Sequence, residues 1–108
     1  MAYWYTAGVQ TNPAGGTVLA DTGPLPASGG RPFKVILAST VGLGFTVEHR
    51  NAANNATLTS QNIPVTSNQP VELEFAPGPD MANDDERLRV VTNALAVGQV
   101  QASLLVQS

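Results

Sequence analysis

The sequence predicts an all-β protein: an antiparallel β-sandwich, jelly-roll-like, with eight or nine short strands. Three observations carry this. Apolar and polar residues alternate with a period of two in several short runs, the mark of half-buried strands. Clusters of Gly, Pro and Asn punctuate those runs every 8–12 residues, the rhythm of a sandwich or barrel. Two longer Gly/Pro-rich loops, 23–31 and 76–85, have the length of connections that cross between sheets, which favours a jelly roll over an immunoglobulin-like sandwich. The Cys-Trp-Cys hallmark of the latter is absent.

The centre of the pattern is 33–50. Phe33, Val35 and Leu37 share one face of a first strand, and Leu43, Phe45, Val47 and His49 share one face of the next. Gly44, Thr46, Glu48 and Arg50 take the opposite face. Before this pair, residues 1–16 hold Tyr3, Trp4 and Tyr5, half of the six aromatics. They form either an N-terminal aromatic arm docked on a neighbour or a first strand, and residues 17–108 form a single β-sandwich domain. Large aromatics at a terminus suit both readings, because each covers much area at low entropy cost. Residues 17–22 make a short strand. Residues 23–30, with two prolines and three glycines in eight positions, continue neither a ladder nor a helix.

Beyond the central pair, 51–56 is an Asn-rich turn. Residues 56–60 and 62–66 read as two short strands, with Pro64 marking an edge or a bulge. In 71–75, Val71, Leu73 and Phe75 point inward and Glu72 and Glu74 outward. In 86–92, Leu88 and Val90 point inward and Arg87 and Arg89 outward. The two acids would complement the two arginines if these strands paired. A helix competes over 84–96, capped by Asn83 and led by Asp84, Asp85 and Glu86, but the β-branched run Val90-Val91-Thr92 favours a strand. Val100, Ala102, Leu104 and Val106 then line one face of the last strand.

At 108 residues the chain suits one core. Hydrophobic residues make up 43% and charged residues 12%, about half the usual charged share. A surface so poor in charge suits a protein partly covered by neighbours. The formal charge is −3 with five scattered basic residues, so no basic patch is available for nucleic acid. There is no cysteine, hence neither disulfide nor thiolate metal site. No apolar run reaches the roughly 20 residues of a membrane helix, and the first five residues lack the basic and apolar regions of a signal peptide.

The site inventory points away from catalysis, cofactors and metals. His49 is the only histidine and continues an inward strand face, so it reads as a satisfied, buried histidine rather than a ligand or base. Glu48 and Arg50 lie on the other face and cannot converge with it. No Gly-x-Ser-x-Gly elbow is present. Glu72 and Glu74 on one exposed face do not form a glycosidase pair across a cleft. The acidic run 80–86 offers oxygen ligands for calcium, but its spacing matches no EF-hand and it reads as a solvated loop. Gly15-Gly16, Gly29-Gly30 and Gly42-x-Gly44 are turn residues, not phosphate loops. Asn55-Ala-Thr57 matches the glycosylation pattern without a secretory context.

The succession Leu25-Pro-Ala-Ser-Gly-Gly, Phe33-Lys-Val-Ile-Leu-Ala, Phe45-Thr-Val-Glu-His-Arg-Asn-Ala-Ala-Asn, Glu86-Arg-Leu-Arg-Val-Val and Gly98-Gln-Val-Gln-Ala-Ser-Leu resembles small jelly-roll structural proteins of tailed bacteriophage particles, of the head decoration (cement) type. The resemblance covers roughly residues 17–107. It implies a non-enzymatic virion structural protein that binds and stabilises the phage head shell. The major capsid protein would be its partner and a homotrimer its form, assembled in the host cytoplasm. Tyr3, Trp4 and Tyr5 are then the expected partner-binding residues. The alternative is a tail-fibre or adhesin module that binds a glycan or receptor, with the same aromatics as its platform.

Overall fold

The computed structural model describes residues 2–6 and 8–107; for 2–4, 6 and 107 it describes the backbone alone. The described residues contain nine strands: β1 (Ala2–Thr6), β2 (Gln10–Thr11), β3 (Val18–Asp21), β4 (Phe33–Ser39), β5 (Leu43–Arg50), β6 (Thr57–Val65), β7 (Val71–Phe75), β8 (Arg87–Thr92) and β9 (Gln99–Gln107). One sheet has the order β1-β9-β4-β7, with β2 also on β9, and the other has β3-β8-β5-β6. Every pairing is antiparallel. The fold is thus the expected antiparallel sandwich, and residues 84–96 contribute a strand, not a helix.

The strand order has a simple origin. β5 pairs with β6, β4 with β7, β3 with β8 and β1 with β9. The chain is one long hairpin folded at the turn 51–56, then rolled so that β9 meets β4 and β8 meets β5. This is the jelly-roll arrangement. Loops 22–32 and 76–86 carry the chain from one sheet to the other, as their length suggested.

The core lies where the two inner faces meet. β4 and β5 alternate strictly between buried and half-buried. Phe33, Val35 and Leu37 face Leu43, Phe45 and Val47, and Val100, Ala102, Leu104 and Val106 complete the floor. Burying each large side chain contributes about 1.5–3 kcal/mol. Phe75 stacks on Phe33, ring centroids 4.5 Å apart, and is held there by the β4–β7 register that sets the two opposite each other.

Two expectations need correction. Residues 57–65 form one strand, not two, because Pro64 sits on an edge strand, opposite Gly44, where a missing N–H costs no ladder bond. The β7 acids do not meet the β8 arginines, because β7 and β8 belong to different sheets. Glu72 and Glu74 lie 2.8 and 3.9 Å from Lys34. Arg87 instead reaches Asp21 at 3.5 Å and Arg89 reaches Glu48 at 2.5 Å.

Candidate functional site

The two ends of the sandwich differ in chemistry. Segments 8–17, 40–42, 66–70 and 93–98 gather at one end, and none of them contains a charged residue. They are locked to one another. Asn12 N–H donates to the Gly98 carbonyl at 2.7 Å, and Gly98 N–H returns to the Asn12 side chain at 2.8 Å. Ala96 N–H donates to the Pro13 carbonyl at 3.1 Å, and the Ser67 hydroxyl to the Thr40 carbonyl at 2.6 Å. With the backbone so tied, Val9, Leu95 and Val97 stay 58%, 65% and 74% exposed. Beside them Val9, Ser39, Asn68, Pro70, Gln99 and Gln101 line a groove of about 300 Å³. This end supplies neutral, preorganised contact surface and no titratable group.

The other end is stitched by carboxylates. Asp80 accepts the Gly30 N–H at 2.7 Å and Asp84 accepts the Ala27 N–H at 2.9 Å. Leu25 pairs with Glu86, and Ser28 with Met81. Arg31 is 2% exposed, donating to the Pro26 carbonyl at 2.5 Å and lying against the Met81 sulfur. Of these three acids, Asp80 and Asp84 are exposed, as expected of a solvated acidic loop, and the expectation is wrong only for Glu86, which is buried. Their oxygens satisfy backbone and side-chain donors that the crossing loops would otherwise leave open.

His49 is buried and inward, as alternation required, and Glu48 and Arg50 are on the other face. Its partner is Glu86, which charge pattern alone assigns to the solvated run. His49 Nε2 lies 2.6 Å from Glu86 Oε1, with both residues buried. Asn83 Nδ2 donates to Glu86 Oε2 at 3.0 Å. Burial is the largest single influence on the Glu86 carboxyl and pushes its pKa up. The hydrogen bonds from Asn83 and His49 and the His49 charge together outweigh it, so the net direction is down. A signal for this site was present: the alternation that turns Leu88 and Val90 inward puts Glu86 on the same face.

The aromatic N-terminus forms β1, an edge strand that places Tyr3 opposite Val106, Trp4 opposite Leu105 and Tyr5 opposite Leu104. Tyr5 is half-buried and packs on the core. The side chains of Tyr3 and Trp4 lie outside the described residues. Glu72 and Glu74 are exposed and pair with Lys34, whose pKa is raised by the Glu72 hydrogen bond first and by the charges of both acids. No group of three or more metal-ligating side chains gathers among the described residues.

No family model matches the chain, and no curated protein matches it. Among solved structures, the apo form of the carbohydrate-binding module BiXyn10A CBM1 is similar at 12% identity and a TM-score of 0.47, over 100% of this chain and 97% of that one. A viral capsid protein in infectious bursal disease virus, Gx strain, is similar at 16% identity and a TM-score of 0.47, over 98% of this chain and 32% of that one. The corresponding structure of the Gt strain gives 15% identity and a TM-score of 0.43, with the same coverage. All three TM-scores lie below 0.5, so the geometry above, rather than these likenesses, bears on function.

Proposed function

We propose that this chain is a non-enzymatic virion structural protein, a capsid decoration protein that binds the major capsid protein of a tailed phage and stabilises the head shell, acting as a homotrimer. The observation that carries the reading is the uncharged loop end, with Val9, Leu95 and Val97 held exposed on a hydrogen-bonded frame. The buried centres of protein interfaces are depleted of charge, and preorganised backbone lowers the ordering cost of association. Each Å² of apolar surface covered contributes about 25 cal/mol. Three such ends in one oligomer turn modest contacts into avidity. The aromatic strand β1, with Tyr3, Trp4 and Tyr5, lies on a sheet edge and provides a second contact for a neighbouring subunit.

The test is co-sedimentation with empty tailed-phage heads, together with sedimentation velocity of the free protein. A trimer that binds heads is expected, with loss of head binding on Val97→Asp and no loss on Glu74→Gln. A monomer that ignores heads overturns the reading. The groove at the same end favours a second reading, a glycan-binding module, because Asn68, Gln99 and Gln101 present amides beside Pro70. A glycan array with Gln101→Ala as control separates the two.

A further inference from the structure

A second cavity, of about 220 Å³, opens between the free edges of the two sheets. Its inner walls are Phe33, Val47, Leu88 and Phe75, and His49 is the polar group within it. Residues 77–79 roof it and residues 59–61 of β6 form its rim. The roof is fixed in place by Arg31 N–H donating to the Pro79 carbonyl at 3.0 Å and Gly78 N–H donating to the Gly30 carbonyl at 3.3 Å.

His49 is 5% exposed, and the hydrogen bond to its ring runs through Nε2 to Glu86. A carboxylate accepts only, so in the neutral imidazole Nε2 carries the proton and Nδ1 is left as an acceptor. Asn83 fixes Glu86 in turn. The chain Asn83–Glu86–His49 thus presents one acceptor between apolar inner walls, below a rim that carries Thr59, Ser60 and Gln61. An apolar cavity of about 150 Å³ holds benzene, so this chamber takes one ring and a small substituent. Its stacked phenylalanines and its prolines favour an aromatic ring.

We propose that this cavity is a binding site for a single-ring phenol, whose ring packs against Phe33, Phe75 and the 77–79 roof and whose hydroxyl donates to His49 Nδ1. The phenol is either a free small molecule or the tyrosine side chain of a partner peptide.

The experiment is an amide-detected NMR titration of the full chain with phenol, anisole and the peptide Gly-Tyr-Gly, at a pH where the His49 nitrogen shifts report a neutral ring. Phenol is expected to shift Val47, His49, Thr59 and Gln61 saturably and to bind roughly tenfold tighter than anisole, the difference one hydrogen bond makes. Binding of the peptide assigns the site to tyrosine side chains; binding of phenol alone assigns it to free phenols. In Glu86→Gln, the carbonyl oxygen stays with the Asn83 donor and the new NH₂ faces His49. The ring proton then moves to Nδ1, which His49 nitrogen shifts report directly, and the tenfold preference for phenol is lost, because both oxygens accept from Nδ1–H. Equal affinity of phenol and anisole in the unmodified protein, or no saturable shift at the cavity, overturns the proposal. So does a phenol preference that survives in a folded Glu86→Gln protein whose Nδ1 is protonated. Phe75→Leu, on the half-exposed wall, is expected to weaken phenol at least fivefold and leave the His49 tautomer unchanged.

Discussion

Gly78 lies where the loop after β7 passes over the loop before β4. A Cβ at this position would lie 1.8 Å from the Arg31 carbonyl oxygen, 2.9 Å from its carbon and 3.2 Å from the Phe33 ring. Non-bonded heavy atoms settle at about 3.5 Å, so Gly78→Ala must push the facing backbones apart by well over an ångström. That displacement breaks the Arg31–Pro79 and Gly78–Gly30 hydrogen bonds, at about 0.5–1.5 kcal/mol each. Overpacking adds about 1–3 kcal/mol. The expected loss is about 2–6 kcal/mol, or a Tm lower by roughly 10–30 °C for a chain of this length. Gly42 is the control, since nothing lies within 4 Å of a Cβ there and its φ is not positive. Urea denaturation of Gly78→Ala and Gly42→Ala checks the reasoning, with the slope unchanged in both. Midpoints within about 0.5 M of each other, at the usual slope of about 1–3 kcal/mol per M, would show that the two loops are not in rigid contact.

Leu104→Ala removes a fully buried side chain from the centre of β9 and is expected to cost about 2–5 kcal/mol by denaturant melting. Glu48→Gln weakens the Arg89 contact and the Thr57 hydroxyl bond and is expected to cost no more than about 1 kcal/mol, since the group is partly exposed. The Glu86 carboxyl is held below its ordinary value. A depressed acid stabilises the fold above its unfolded pKa and loses that contribution as pH falls through its folded pKa. Urea midpoints of the unmodified protein are therefore expected to drop between about pH 5 and pH 3, with a shallower drop in Glu86→Gln; parallel curves would refute the assignment.

Alternation alone identified β4, β5 and β9, because each has one face on the core and one toward solvent, so burial writes a period of two into the sequence. It also placed His49 inward. Pairing partners were not legible in the same way. Glu72 and Glu74 have an outward face whatever the sheet order, and only that order decides whether they meet Lys34 or Arg87. Glu86 was obscured by two preceding acids that resemble a solvated run, although its phase with Leu88 was correct. Arg31, between Gly30 and Pro32, gave no sign of burial; its environment comes from Pro26 and Met81, which long-range folding brings to it. The uncharged end was visible only as low overall charge. Its concentration in four separated segments follows from the topology.

The nested pairing also sets an order in time. β5 and β6 are joined by six residues, and bringing strand ends together costs entropy that grows with the logarithm of the span. Once that hairpin exists, β4 and β7 are separated by only the short segments 40–42 and 66–70, and β3 and β8 then by the longer loops 22–32 and 76–86, still far less than their full separation in sequence. Assembly by outward zipping therefore avoids the full cost of joining Ala2 to Gln107, which are register partners. On that order β9, flanked by β1 and β4, is expected to close its sheet last. Substitutions at Phe45 or Ile63 are expected to slow refolding, and those at Val100 or Val106 to speed unfolding instead, in stopped-flow denaturant jumps.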